Sequence, residues 1–265
     1  MEKIKVVILC GGKGTRLKEE TEFRPKPLLP IGDKPILWHI MKIYSHYGYN
    51  DFILCLGYKG DMIKKYFLDY QWMNNDFTLN LGDKKSSLNH HTQTKEDWSI
   101  TFANTGETTL TGGRIKKIEK YINEDNFMVT YGDGVSNINI NKLVEFHKKE
   151  GKIGTITGVH PSSKYGTVNI NQDNIINEFK EKPVLKDIIN GGFFVFKKEF
   201  FNYIKKDCML EKEPFEQVIK EKQLALFKHE DFWHCMDTYK DFENLNEMES
   251  NGKTPWKIWE NQNEL

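Results

Sequence analysis

An unbroken apolar run, Val6-Val7-Ile8-Leu9-Cys10, stops abruptly at Gly11-Gly12-Lys13-Gly14, and this junction constrains the chain more than any other stretch. Apolar residues at every position mean burial on both faces, which a strand finds in a parallel sheet covered by helices. The carboxyl end of such a strand opens into a loop, and that rim is where open α/β sheets bind ligands. Glycines let backbone N–H groups turn outward and approach an anion without any side chain. Arg16 adds a fork of donors suited to phosphate oxygens. Lys26, in Arg24-Pro25-Lys26-Pro27, offers a mobile point charge on an extended, proline-braced backbone. Two cations and a ring of amides can neutralise much of a triphosphate.

Two commoner phosphate loops are excluded by the wording. There is no Gly-x-x-x-x-Gly-Lys-Ser/Thr, and Gly12-x-Gly14 lacks the third glycine of a dinucleotide fingerprint. What remains is Gly-Gly-x-Gly-Thr-Arg-Leu with a downstream Pro-Lys-Pro. The plain alternative is a glycine-rich turn with Arg16 and Lys26 as solvated charges.

Strand and helix patterns then alternate, as in a parallel sheet with crossover helices. Ile36, Leu37, Ile40, Met41, Tyr44 and Tyr47 recur at helical spacing after Pro35; Asp51 to Tyr58 is a second buried strand; a helix from Asp61 carries Ile63, Tyr66 and Phe67. Residues 71–97 turn polar and read as an insertion, a hairpin or a loop reaching beyond the core. Trp98 to Thr105 alternates like a strand, Thr111-Gly112-Gly113-Arg114 opens a helix, and Phe127 to Gly134 is again a buried strand. The C-terminal half reads as more β-rich, with short strands at Tyr165–Ile170, Ile175–Phe179 and Gly191–Phe196, then a final helix from Asp241 to Glu249. In the tail, Trp256 and Trp259 are expected to pack on the body or on a neighbouring subunit. No linker divides the 265 residues, so one domain is expected, with the insertion at about 71–97 and a helical tail at about 238–265.

Composition narrows the function classes. Thirty-eight basic and thirty-eight acidic residues cancel, leaving no field to gather nucleic acid or an anionic membrane, so a polyanion must be bound by a local pocket. Cysteines 10, 55, 208 and 235 show no Cys-x-x-Cys pairing and read as reduced thiols of a cytoplasmic protein. The N-terminal apolar run is too short for a signal-peptide core, and no stretch approaches a membrane span.

Asp133, in Tyr131-Gly132-Asp133-Gly134, puts a carboxylate at the end of a hydrophobic strand, on the rim that carries the glycine loop. A hard divalent cation shared with phosphate oxygens needs one or two such carboxylates, and Asp237, in Cys235-Met236-Asp237-Thr238, is the candidate second. Taken alone, Asp237 is a helix N-cap. Glu181-Lys182-Pro183 offers a sugar-hydroxyl acceptor beside a cation for a monophosphate, and Asn190-Gly191-Gly192 a close backbone approach; an exposed turn and a tight turn are the plain readings. His229, His234 and the pair His90-His91 lack any ligand set at zinc spacing. No serine, histidine and acid arrangement suggests a covalent intermediate.

With Gly11 to Leu17, Pro25-Lys26-Pro27, Gly132-Asp133-Gly134, Glu181-Lys182-Pro183, Gly191-Gly192-Phe193-Phe194 and Met236-Asp237-Thr238 in order, the chain resembles the sugar-1-phosphate nucleotidyltransferases from end to end. The stretches Pro35 to Lys42, Gly57-Tyr58-Lys59-Gly60, Thr111 to Arg114 and Pro255-Trp256-Lys257 resemble the CTP-using branch of that family. The resemblance implies a Rossmann-like α/β three-layer sandwich of the GT-A type with a mostly parallel mixed sheet and a small β-rich sugar-binding portion. It implies CTP and α-D-glucose 1-phosphate as substrates, CDP-glucose and pyrophosphate as products, and a role in CDP-linked dideoxysugars for surface polysaccharide such as the O-antigen of lipopolysaccharide. Carried over by position, Leu9, Cys10, Gly11, Gly12, Lys13, Gly14, Thr15, Arg16, Lys26, Thr109 and Arg114 would contact the nucleotide. Asp133 and Asp237 would hold Mg²⁺, and Arg16, Lys26 and Asp133 would carry catalysis. Tyr131, Gly132, Tyr165, Gly166, Glu181, Lys182, Asn190, Gly191 and Gly192 would take the sugar phosphate. Family members form hexamers in which a polar extension reaches an adjoining subunit's nucleotide, which suits residues 71–97.

The chain departs from the family at Cys10, where alanine is typical, at Lys13, where an apolar residue is, and in the His160 to Gly166 loop near the expected sugar pocket. Another sugar 1-phosphate, a glycosyltransferase with the same type of nucleotide site, and a non-catalytic homologue that binds sugar nucleotides are the alternatives.

Overall fold

The computed structural model describes residues 3–80, 87–91, 96–163 and 165–260, and at 87–90 the backbone only. In chain order the elements begin with β1 (Lys5–Cys10), α1 (Lys18–Thr21), β2 (Pro30–Ile31), β3 (Lys34–Pro35), α2 (Ile36–His46), β4 (Asp51–Leu56), α3 (Gly60–Leu68) and α4 (Tyr70–Asn74). They continue with β5 (Phe77–Asn80), β6 (Ser87–His90), β7 (Ser99–Asn104), α5 (Thr111–Lys117), β8 (Asn126–Tyr131), β9 (Gly134–Ser136), α6 (Ile140–Glu150) and β10 (Gly154–Val159). The last are β11 (Thr167–Ile170), β12 (Ile176–Lys180), β13 (Ile189–Lys197), α7 (Glu213–Lys220), β14 (Leu224–His229), β15 (Trp233–Cys235) and α8 (Tyr239–Ser250).

Seven strands form the central sheet in the order β14-β10-β13-β8-β1-β4-β7. All neighbours run parallel except β13, which is antiparallel to both β8 and β10. The sheet is thus mixed and mostly parallel. Alternation along β1 explains the layers: Val6, Ile8 and Cys10 enter one buried cluster with α2, and Val7 and Leu9 enter another with α5 and the Phe194–Phe196 side of β13. From β1 the chain builds outward through β4 and β7, then returns to place β8 on the opposite side of β1. The carboxyl ends of β1 and β8 therefore flank the point where strand order reverses, the position at which such sheets open a crevice.

The expected β-rich C-terminal half is present, as β10 to β15. Gly191–Phe196 lies within β13 and Leu224–Phe227 within β14, both strands of the central sheet, because their apolar residues find cover only between the helical layers. β11 and β12 stand apart as a two-stranded ribbon, and β15 pairs with β9 outside the central sheet. The polar insertion holds α4 and the β5–β6 ribbon. Residues 81–86 and 92–95 of that insertion, Lys164 of the 160–166 loop and 261–265 of the tail lie outside the described residues. Trp256 is fully buried in the body, its Nε1 donating to His39 Nδ1 at 3.3 Å and its ring stacked on Phe232. Among the described residues no helix is long and apolar enough to cross a membrane.

Candidate active site

The loop after β1 is shaped from beneath by Arg114. This side chain of α5 is only 4% exposed, and its guanidinium faces the ends of three parallel strands. Nη1 donates to Leu56 O at 3.1 Å, to Thr105 Oγ1 at 2.7 Å and to Gly106 O at 2.7 Å, while Nη2 donates to Gly11 O at 3.0 Å and to Glu107 O at 3.3 Å. The ends of β1, β4 and β7 are thereby gathered on one cation. Gly11 must be glycine for the same reason: a Cβ there would lie 2.1 Å from Arg114 Cζ. Gly14, at φ +63°, turns the chain into a short 3-10 turn, Thr15–Leu17, that carries Arg16.

Lys26 follows Pro25, whose extended backbone leads into a second 3-10 turn, Lys26–Leu28. Its ammonium donates to Asp133 Oδ2 at 2.7 Å and to Asp237 Oδ1 at 2.6 Å. Arg16 Nη1 meets the other Asp237 oxygen at 3.0 Å from an exposed position. Burial opposes a charge on Lys26, but the charges and hydrogen bonds of Asp133 and Asp237 outweigh it and hold the pKa above the usual lysine value.

Strand pairing places the carboxylates side by side. Gly134 in β9 faces Cys235 in β15, and Met236 N donates to Asp133 O at 2.8 Å, so the residues preceding β9 and following β15 are neighbours. The helix N-cap, the plain alternative for Asp237, is found one residue later. Thr238 caps α8, accepting from Asp241 N at 3.3 Å, while Asp241 Oδ2 accepts from Thr238 N at 2.8 Å and from Asp237 N at 3.2 Å. The capping box holds the Asp237 backbone and leaves its side chain to the cations.

Donor atoms of Asp133, Cys235 and Asp237 lie within 4.8 Å of one another. Two carboxylate charges at that separation repel by about 3 kcal/mol at an effective dielectric of about 20, so a cation between them is required. Two hard oxygen donors suit a divalent ion that also takes phosphate oxygens. Cys235 adds no charge, since burial and then the two carboxylates push its thiol pKa up. The histidines are elsewhere: His229 Nε2 is 3.0 Å from Ser136 Oγ in the core, and His91 Nε2 is 2.9 Å from Thr78 Oγ1. His234 Nε2 is 3.7 Å from Asp241 Oδ1.

These groups border a cleft of about 390 Å³. Its walls include Leu9, Cys10, Gly11, Gly12, Gly14, Thr15, Arg16, Lys26, Thr109, Arg114, Tyr131, Gly132, Asp133 and Asp237. Lys13 points away from it, 3.9 Å from Glu107, and lines a neighbouring hollow with Tyr58. Of the residues expected at the sugar phosphate, only Tyr131 and Gly132 line the cleft. Asn190 adjoins it, Nδ2 donating to the Tyr131 hydroxyl at 3.3 Å, and Gly192 lies against the Tyr131 ring. Gly191 O instead accepts from Trp233 Nε1 at 2.7 Å. Glu181 and Lys182 pair at 4.0 Å, both exposed, beyond β12, and Tyr165 and Gly166 lie before β11, with Gly166 against Phe179. Glu211 had no signal in the sequence. Its carboxylate accepts from the Tyr131 hydroxyl and from Thr111 Oγ1 at 3.1 Å, fixing the Tyr131 ring at the cleft wall.

The sequence profile described as nucleotidyl transferase matches residues 5–250. A Bacillus subtilis (strain 168) protein named "Probable glucose-1-phosphate cytidylyltransferase" is 47% identical over 258 residues, covering 97% of this chain and 100% of its own. The glucose-1-phosphate cytidylyltransferase of Salmonella typhi is 42% identical over 260 residues, covering 97% of this chain and 100% of its own. The crystal structure of a UDP-glucose pyrophosphorylase complexed with UDP-glucose superposes with a TM-score of 0.67 at 15% identity, covering 95% of this chain and 100% of that one, a likeness of fold.

Proposed function

The chain belongs to the nucleotidyl transferase family, and from that premise we propose that it transfers the cytidylyl group of CTP to α-D-glucose 1-phosphate, giving CDP-glucose and pyrophosphate. The observation that carries this reading is the meeting of Lys26 with Asp133 and Asp237 at the mouth of the glycine loop, in a chain alike along nearly its whole length to glucose-1-phosphate cytidylyltransferases.

The reaction is an in-line displacement at the α-phosphorus. A phosphate oxygen of glucose 1-phosphate forms the new P–O bond, the bond to the β-phosphate oxygen breaks, and pyrophosphate leaves with the electron pair. Glucose 1-phosphate is already anionic near neutral pH, so the attack needs no general base and no enzyme-bound covalent species. Amides of Gly11 to Thr15 cradle the phosphates, and Arg16 and Lys26 neutralise the charge that develops. Tyr131 and Gly132 bound the side from which the sugar phosphate approaches, with Asn190 and Glu211 orienting the tyrosine. Asp133 and Asp237 are the residues that hold Mg²⁺, which when bound supplies further charge neutralisation on the phosphates. Catalysis is therefore mostly positioning.

The protein works in the cytoplasm, where its free thiols stay reduced, and supplies CDP-glucose for dideoxysugars of surface polysaccharide. It assembles as a homohexamer, a reading favoured by the β5–β6 ribbon with its exposed Phe77 and Leu79; light scattering measures the mass. The decisive experiment is a matrix of nucleoside triphosphates against sugar 1-phosphates, read as pyrophosphate release. CTP with glucose 1-phosphate is expected to give the highest kcat/KM, and no pyrophosphate from any pair would sink the reading in favour of a glycosyltransferase. Lys26→Ala should lower kcat by about 10²–10³ with the fold intact.

A further inference from the structure

Resting on the two-carboxylate cation seat proposed above, we infer that Lys26 is a tethered counter-ion: in the nucleotide-free protein its ammonium takes the place of the divalent cation, and it gives up that place only when phosphate oxygens arrive to receive it. Three observations converge on this. The ammonium sits 2.7 Å from Asp133 Oδ2 and 2.6 Å from Asp237 Oδ1, on oxygens a divalent ion would bind at about 2.1 Å, so the two cations exclude each other. Second, the four groups paired there balance in charge, Lys26 and Arg16 against Asp133 and Asp237. Adding a divalent ion alone would leave that set doubly positive, whereas a triphosphate brings the negative charge that makes room for it. Third, the backbone anchors the lysine at its root, while the two carboxylates hold its tip. Pro25 fixes the backbone and Gly14 packs toward Lys26 Cβ, while the four-carbon stem can swing the head within the cleft that it lines with Gly11 and Gly12.

Nucleotide and divalent cation are then taken up together, and a divalent ion offered alone is turned away. Mn²⁺ is the probe, with the free ion counted by electron paramagnetic resonance and no nucleotide present. Lys26→Met is expected to bind Mn²⁺ roughly tenfold or more tightly than the wild type, because no charged hydrogen bonds have to be broken first. Lys26→Arg, which keeps a cation in place, is expected to behave like the wild type, and adding Asp237→Asn to Lys26→Met should abolish the gain. The wild type carries the same test should Lys26→Met fail to fold. Mn²⁺ alone should leave its Tm unchanged, and Mn²⁺ with CTP should raise it. Equal Mn²⁺ affinity in wild type and Lys26→Met overturns the counter-ion role, as does a Tm rise with Mn²⁺ alone that matches the rise with CTP added. Absence of Mn²⁺ binding in every protein, even with CTP, overturns the cation seat itself.

Discussion

Arg114→Met would show whether the glycine loop is held by the protein or by its ligand. The substitution keeps a buried stem and removes all the donors of the guanidinium. Two of its acceptors keep other partners: Leu56 O still receives Thr105 N at 2.9 Å and Thr105 Oγ1 at 2.7 Å, and Gly11 O still receives Tyr58 N at 3.3 Å. Gly106 O and Glu107 O have no second partner among the described residues. At about 1.5–3 kcal/mol for each hydrogen bond to a charged group, those two carbonyls alone set a loss of roughly 3–6 kcal/mol. For a chain of this size that lowers Tm on the order of 10 °C. The assay is thermal unfolding of the ligand-free protein by circular dichroism, beside CTP affinity by calorimetry. Arg114→Lys, with one point charge in place of a fork, should fall between the two. A methionine variant that melts with the wild type yet no longer binds CTP would refute the clasp and make the guanidinium a ligand contact only.

Other expectations are as direct. Trp256→Ala removes a fully buried ring from the His39 and Phe232 contacts and should cost about 3–5 kcal/mol in chemical denaturation. Thr238→Ala removes the α8 cap that steadies Asp237; it should cost about 1 kcal/mol and raise the divalent-ion concentration needed for half-maximal rate. Burial pushes both His39 and His147 down to about 4. The unfolded chain therefore binds more protons between about pH 6.5 and 4, so stability is full above that window and falls as pH drops through it. Each histidine contributes up to roughly 3 kcal/mol of that fall. Urea midpoints from pH 7 to 4.5 measure it, and His147→Gln should flatten the curve. A pH-independent midpoint would exclude the neutral buried state.

The strands around Val6–Leu9, Phe52–Leu56 and Phe127–Val129 were readable from the chain because doubly covered strands are apolar at every position. In the C-terminal half the same signal finds the strands and stops there. The Phe193–Phe196 run says that a strand is buried, but not which sheet buries it, and its insertion between β8 and β10 depends on order, not on local composition. Thr238 and Asp241 carry the capping pattern one residue past the aspartate that was weighed as the cap. Lys182 sits in a Glu-Lys-Pro motif that reads equally as an exposed turn, and neither it nor Gly166 borders the cleft described above.

Local physics thus reaches as far as the glycine loop, the braced lysine and a carboxylate at a strand end, since each is a short run whose backbone demands or side-chain chemistry are self-contained. Adjacency across the chain is another matter. Asp133 and Asp237 meet because β9 pairs with β15, and Lys26 reaches them from far upstream. Arg114 turns inward because three strand ends present their carbonyls together, and Glu211 acquires a purpose only beside Tyr131 and Thr111. Contacts between residues many tens of positions apart leave no period in the sequence. They exist only once hydrophobic burial has chosen the order of the strands, and the charges then settle into whatever neighbourhood that order creates.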